Sequence, residues 1–99
     1  MKLADNIYTD IEKNKVFRRA LDRIAEGKKY MSFYVVTLPL FSYGLLEIYE
    51  FNELRQPYYR NMDDEITILA ISKSKTGAKE LAMNILEDHL DQEGVLQWP

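Results

Sequence analysis

The chain of 99 residues contains no cysteine and a single histidine, His89. The absence of cysteine excludes disulfide bonds, thiolate metal sites and a cysteine nucleophile. One histidine cannot complete a metal site without carboxylate ligands, and no spacing joins His89 to a nucleophile, an acid or an oxyanion donor. We therefore expect a half-buried structural histidine, no cofactor, no metal and no enzymatic activity.

Long apolar runs are also missing. No run approaches the roughly 18–20 residues that a membrane span requires, and the N-terminus turns polar too soon for a signal peptide. The chain also lacks repeats, linkers and low-complexity tracts. Residues 1–99 are accordingly predicted to form one cytoplasmic domain that does not bind membranes, with residues 95–99 as a possible flexible tail.

Charge is distributed unevenly along the chain. Residues 1–29 have a net charge of +3 and residues 30–99 a net charge of −6, so that the whole chain has a net charge of −3. A dedicated nucleic-acid-binding domain is usually basic. The acidic balance argues against that function for every segment except the first.

The first predicted helix has a start signal and an apolar face. Thr9 and Glu12 have the spacing of a capping box, which predicts that the helix begins near Thr9. Its apolar residues recur at helical spacing: Val16, Phe17, Ala20, Leu21 and Ile24. A second stripe, formed by Leu3, Ile7 and Ile11, leaves an earlier start of this helix open.

Three segments rich in β-branched and aromatic residues predict strands, at 30–38, 45–51 and about 65–71. Pro39 and Gly44 mark a turn between the first two, which predicts a hairpin. A second helix should follow the third strand, with Ser74 or Thr76 as its N-cap. Its predicted apolar face is Ala78, Leu81, Ala82, Ile85, Leu86, His89 and Leu90.

The order of elements is therefore α-β-β-β-α. It predicts an α+β fold, with a three-stranded antiparallel sheet packed with two amphipathic helices. Both sides of the predicted strands are apolar. In an antiparallel sheet with one solvent-exposed face, apolar and polar residues instead alternate along each strand. Two arrangements satisfy this pattern: a homodimer in which a second subunit covers one face, or a monomer with one helix on each face.

An aromatic and basic loop is the predicted partner-binding surface, because tyrosine and arginine often supply interface energy. Its residues are Leu54, Arg55, Tyr58, Tyr59 and Arg60. The alternative is that the tyrosines fold back and seal the edge of the core.

Two basic features suggest weaker binding functions. The turn before the second helix could bind an anion with its free backbone amides and its lysine side chains. The residues of this predicted site are Lys73, Ser74, Lys75, Thr76, Gly77 and Lys79. The first helix has a cationic ridge that could meet nucleic acid, formed by Lys15, Arg18, Arg19 and Arg23. A capped, solvated turn and a mixed-charge helix face explain the same residues.

These patterns together predict a small, non-catalytic protein-interaction or accessory domain that associates with a protein partner, most simply itself as a homodimer. The alternative is weak binding of an anion or nucleic acid. The sequence contains no motif that identifies a pathway.

Overall fold

A computed structural model describes residues 1–12, 15–26, 33–40, 44–56, 59, 62 and 65–97. Its elements, in chain order, are β1 (Lys2–Thr9), α1 (Lys15–Glu26), β2 (Tyr34–Thr37), β3 (Glu47–Glu50), a 3-10 helix (Phe51–Arg55), β4 (Thr67–Ser72) and α2 (Lys75–His89). The α+β class and the two predicted helices are confirmed.

The sheet has four strands in the order β1-β4-β2-β3. β2 pairs antiparallel with both β3 and β4, which confirms the predicted hairpin. β1 pairs parallel with β4. The prediction of a three-stranded antiparallel sheet is therefore wrong: the sheet is mixed, and its additional strand is the N-terminal segment.

The start of the first helix was also misplaced by the sequence pattern. Leu3, Ile7 and Ile11 are four residues apart, a spacing that fits both the helical period of 3.6 and the strand period of 2. The segment from Lys2 to Thr9 is a strand, and α1 begins only at Lys15. The Thr9 hydroxyl accepts a hydrogen bond from the Ile11 amide at 3.0 Å instead of capping a helix.

β1 bows away from β4 in the middle of its length. Leu3 lies opposite Ile68 and Tyr8 lies opposite Ala70, so five residue steps of β1 run alongside two of β4. Two steps of a strand cover about 7 Å and five cover about 17 Å. The excess chain must leave the line of the sheet, and it does so at residues 4–7, here called the β1 bulge.

The polar residues in the middle of β1 explain the bulge. In a straight strand, Asp5 would project to the same side as Leu3 and Ile7, because side chains alternate. Both of those side chains pack against the core beneath α1. Burying an unpaired carboxylate there would be strongly unfavourable. The bulge instead leaves Asp5 and Asn6 exposed.

The face of the sheet beneath α1 is covered by α1 and the 3-10 helix. Phe17 and Ile24 of α1 pack in one cluster with sheet residues that include Ile68 and Ile71. Phe33 and Phe51 stack in the same cluster with their ring centroids 4.7 Å apart. The buried residues that complete it are Val35, Leu54 and Ile66.

The opposite face is covered by α2. Ala78, Leu81 and Ile85 of this helix pack on the sheet residues Val36, Leu69 and Ala70. One helix therefore lies on each face, which is the arrangement of the monomer alternative. The apolar surplus that suggested a second subunit is covered within the chain, while the oligomeric state itself stays a prediction.

The segment after α2 folds back on the end of the helix. The Asp91 carboxylate accepts hydrogen bonds from the backbone amides of Glu93 and Val95, both at 2.9 Å, and from the side-chain amide of Gln97 at 3.0 Å. The bond from the Val95 amide is the main reason that the pKa of Asp91 is lowered. Gly94 turns the chain with a φ of 80°, which favours glycine. Residues 95–97 are thus docked, whereas 98–99 lie outside the described residues.

Candidate functional site

An open depression lies between β1 and the C-terminal end of α2. It has a volume of about 1040 Å³. Its lining comes from residues 2–8 of β1, from Leu38 and Thr67 on the sheet side, and from Asp88 and His89 of α2. We call this depression the β1 groove. A second depression of about 260 Å³ lies on the α1 side of the same bulge, so the bulge is the wall between two recesses.

A tyrosine, a carboxylate and the only histidine meet at the wall of the β1 groove. The Tyr8 hydroxyl donates a hydrogen bond to Oδ2 of Asp88 at 2.6 Å. The same hydroxyl oxygen lies 3.2 Å from Nε2 of His89, and the two rings meet edge to face with centroids 6.2 Å apart. These contacts join the first strand to the last helix across the groove.

The hydrogen-bond pattern constrains the histidine tautomer. A phenol has one proton to donate, and the shorter bond shows that Tyr8 gives it to Asp88. The contact with His89 is then a hydrogen bond only if Nε2 bears a proton and donates it to the Tyr8 oxygen. We infer that the neutral His89 ring is protonated on Nε2.

Tyr8 is a hydrogen-bond donor and not a base at neutral pH. Its hydrogen bond to Asp88 is the largest cause that raises its pKa from 10.0 to about 12, and desolvation and the negative charge of Asp88 raise it further. A phenol in this state holds its partner carboxylate in place. The Tyr8 hydroxyl therefore positions the Asp88 carboxylate within the groove and is not itself activated as a nucleophile.

The Tyr8 titration gives a direct test of this geometry. Because the folded-state pKa is raised, the stabilisation from the Tyr8–Asp88 bond is complete below pH 10 and is lost as the pH rises to about 12. Ring-carbon chemical shifts of labelled tyrosine, assigned with Tyr8→Phe, should show a pKa near 12. In Asp88→Asn the pKa should fall toward 10. A Tyr8 pKa near 10 in both proteins would contradict the hydrogen bond.

A second polar cluster lies where the parallel strands β1 and β4 end. The Asp10 carboxylate accepts a hydrogen bond from the hydroxyl of the buried Ser72 at 2.6 Å and one from the Lys73 amide at 3.2 Å. Ser74 is the N-cap of α2, and its hydroxyl oxygen accepts from the Gly77 amide at 2.9 Å. Of the two caps that the sequence allowed, the structure selects Ser74.

This cluster lies in the turn that the sequence predicted as an anion-binding site. Gly77 is buried, whereas the other residues of the predicted set are exposed: Lys73, Ser74, Lys75, Thr76 and Lys79. The Asp10 carboxylate already accepts the hydrogen bond that the Lys73 amide donates. An incoming anion would meet this negative charge, so the geometry favours the capped turn. Anion binding here stays a prediction.

The predicted partner-binding residues do not form one exposed surface. Leu54 is 1% exposed and belongs to the core. Tyr59 is half-buried, and its ring meets the Tyr49 ring edge to face at 5.9 Å. Arg55 ends the 3-10 helix, and Tyr58 and Arg60 lie outside the described residues. Tyr59 thus takes the position at the edge of the core that the alternative gave to the tyrosines, and Leu54 lies within the core.

Tyr49 anchors this corner of the sheet. Its hydroxyl donates a hydrogen bond to Oε1 of Glu47 at 3.0 Å. Burial is the largest cause that raises the pKa of Tyr49, followed by the hydrogen bond to Glu47. The same carboxylate oxygen accepts from the Leu40 amide. The arrangement fastens the loop at Leu40 to the edge strand β3.

The cationic ridge lies along α1. Lys15, Arg18 and Arg19 are exposed there, and Arg23 belongs to the same helix. The structure thus presents three of the four predicted cations to solvent. Whether they bind nucleic acid stays a prediction.

Within the described residues, no group of three or more histidine, aspartate and glutamate side chains could hold a metal ion. None of the helices in this part of the chain has the length and apolar character to cross a bilayer.

The Tyr8–Asp88–His89 cluster was missed by reasoning from the sequence. Tyr8 and Asp88 are 80 positions apart, and no sequence pattern connects them. The available signal was His89, at the C-terminal end of the apolar stripe of α2. Tyr8 gave no signal because no strand was predicted for its segment, where an earlier start of the first helix was left open.

Comparisons of the chain with protein-family models, with curated proteins and with solved structures find no match.

Proposed function

We propose that the chain is a small, non-catalytic protein-interaction domain and that the β1 groove is its contact surface. The observation that supports this is the bulge itself, because it opens a concave surface beside an edge strand. The groove is lined partly by half-buried apolar side chains, including Ala4 and Leu38. Interfaces place such apolar area at their centre, with tyrosine enriched, and Tyr8 lies in the wall.

The groove supports this function better than the loop at residues 54–60. Leu54 and Tyr59 already pack within the chain. By contrast, the groove is open, and its polar atoms are held in place by the bond between Tyr8 and Asp88. Preorganised groups lose less conformational freedom when a partner binds.

A second copy of the chain is the simplest partner. Because each sheet face is covered by its own helix, a homodimer would have to use the groove or another exposed surface. A cytoplasmic location stays a prediction of the sequence.

The experiment compares Leu38→Glu in the groove with Met83→Glu on α2, where the side chain is 61% exposed and lies outside the groove. Sedimentation velocity over a wide concentration range measures self-association, and quantitative mass spectrometry of proteins captured from extract measures other partners. We expect Leu38→Glu to lose the contact and Met83→Glu to keep it.

Circular dichroism must show that both variants are folded, and Ala4→Gln supplies a milder groove variant. Equal association of the wild-type, Leu38→Glu and Met83→Glu proteins would overturn the assignment of the groove.

The second candidate function is weak binding of nucleic acid through α1. The observation that favours it is the exposure of Lys15, Arg18 and Arg19 on this helix. Contacts to phosphate weaken steeply as salt rises, whereas an apolar contact does not. Joint replacement of Lys15, Arg19 and Arg23 by alanine should abolish binding only under this alternative.

A further inference from the structure

The two acidic side chains of the β1 groove suggest the chemistry of its occupant. Asp5 lines the groove from the bulge and Asp88 lines it from α2. Lys2 is also in the lining, so the charges of the lining sum to about −1 when His89 is neutral. The groove therefore combines apolar walls with a small excess of negative charge.

Asp88 is prepared to accept a further hydrogen bond. Its Oδ2 accepts from Tyr8, and among the described residues no hydrogen bond to its Oδ1 is found. An exposed ion pair is weak partly because two mobile side chains must be held in one geometry. The Tyr8 hydroxyl already restrains the Asp88 carboxylate, which lowers that entropic loss.

The position of Asp88 in α2 also favours a cation. It is the penultimate residue of the helix, where the helix dipole presents partial negative charge. A carboxylate at this end is unfavourable by itself, and a positive group placed beside it reduces the repulsion. The negative field of Asp88 and that of the helix end act in the same direction.

The short length of the groove along β4 argues against an extended peptide strand and favours a long side chain, which would fill only part of the volume of about 1040 Å³. β1 runs alongside only four residues of β4, from Thr67 to Ala70, between Lys2 and Tyr8. Their three steps cover about 10 Å, which is short for an extended peptide. Lysine and arginine combine an apolar stem with a charged head. Ala4 and Leu38, which lie on the α2 side of the sheet, would contact the stem, and the Asp88 carboxylate would accept a hydrogen bond from the charged head.

The geometry points to a lysine or arginine side chain, presented by a partner protein, as the occupant of the β1 groove. This inference rests on the proposed function, because it names the group that enters the same surface. It assigns Asp88 as the carboxylate that accepts a hydrogen bond from the cationic group, and Tyr8 as the residue that positions Asp88.

The test uses the full ¹⁵N-labelled chain and three synthetic peptides that differ at one position. Valines flank a lysine in the first peptide, norleucine in the second and glutamate in the third. Norleucine keeps the apolar stem and lacks the charge. We expect the lysine peptide to shift the amide signals of the groove residues most strongly, with an affinity that falls as salt rises.

Two variants distinguish the effect of the Asp88 charge on binding from a general effect of removing a negative charge from α2. Asp88→Asn should weaken binding of the lysine peptide by roughly two- to fivefold, as expected for an exposed ion pair, and should not change binding of the norleucine peptide. Glu87→Gln, a charge-neutralising change at the exposed neighbouring position, should leave both affinities unchanged.

The possible outcomes are distinct. Equal shifts with all three peptides would overturn the cation assignment while the proposed function stands. The absence of shifts in the groove with every peptide would overturn the inference, and the comparison of Leu38→Glu with Met83→Glu would still decide the proposed function independently.

Discussion

Replacement of Leu54 by alanine is expected to lower the free energy of unfolding by about 2–5 kcal/mol. The Leu54 side chain is 1% exposed and packs in the cluster that contains the Phe33–Phe51 stack. Truncation removes buried methyl groups and leaves a cavity that the neighbouring rings fill only in part. For a domain of this size, even 1 kcal/mol shifts Tm by roughly 4–8 °C. Urea denaturation followed by circular dichroism measures the loss.

Leu45→Ala is the matched control, because the Leu45 side chain is 37% exposed. The same chemical change should reduce the stability much less at that position. If the two variants proved equally stable, Leu54 would not be a core residue. The comparison also matters for function, since any loss of binding in Leu54→Ala is expected to follow from unfolding and not from a lost contact.

The second large effect is expected for Gly77→Ala. Gly77 lies in the first turn of α2, and a Cβ atom there would overlap the Asp10 carboxylate and the Ser72 hydroxyl. Alanine is favoured over glycine by about 1 kcal/mol in an exposed helix. The bond from Ser72 to Asp10 would have to break, and hydrogen bonds to charged groups contribute about 1.5–3 kcal/mol. We therefore expect a net destabilisation of about 0.5–2 kcal/mol, opposite in sign to helix propensity.

A double-mutant cycle with Asp10→Ala tests the cause. Removal of the carboxylate gives the new methyl group more room, so Gly77→Ala should destabilise the Asp10→Ala protein less than the wild type. Thr76→Ala, at the exposed preceding position, should change the stability by less than about 0.5 kcal/mol. A Gly77→Ala protein more stable than the wild type would contradict the close approach of Asp10.

The features that the sequence predicted correctly are those with local signals. The β2–β3 hairpin and α2 each have a run of residues with a clear period and a turn or cap beside it. Ser74 is an example, because its hydroxyl and the Gly77 amide lie three residues apart in the chain. Short-range patterns of this kind can be read from sequence alone.

β1 has no comparable signal. Asp5 interrupts the alternation that identifies a strand, and the spacing of Leu3, Ile7 and Ile11 is equally consistent with a helix. The partner of β1 is β4, more than fifty residues further along the chain, and parallel pairing leaves no turn between them. The additional strand therefore becomes visible only in the fold.

The groove depends on the same long-range pairing of β1 with β4. For this reason, the sequence patterns did not predict that its residues lie close together. Tyr8 belongs to a strand that the sequence did not predict, and Asp88 faces it only because β1 lies at the edge beside α2. By contrast, Leu54 was correctly recognised as apolar but assigned to a surface. Its burial follows from the 3-10 helix that places it beneath the sheet.

The bowed middle of β1 also affects how molecules of this protein can meet at high concentration. A straight outer strand would present a regular row of amide and carbonyl groups, onto which the strand of another molecule could add. Here that row is interrupted at residues 4–7, with a charged side chain before the interruption at Lys2 and another within it at Asp5. The distortion that forms a recess therefore also hinders the addition of another molecule's strand at the β1 edge of the sheet.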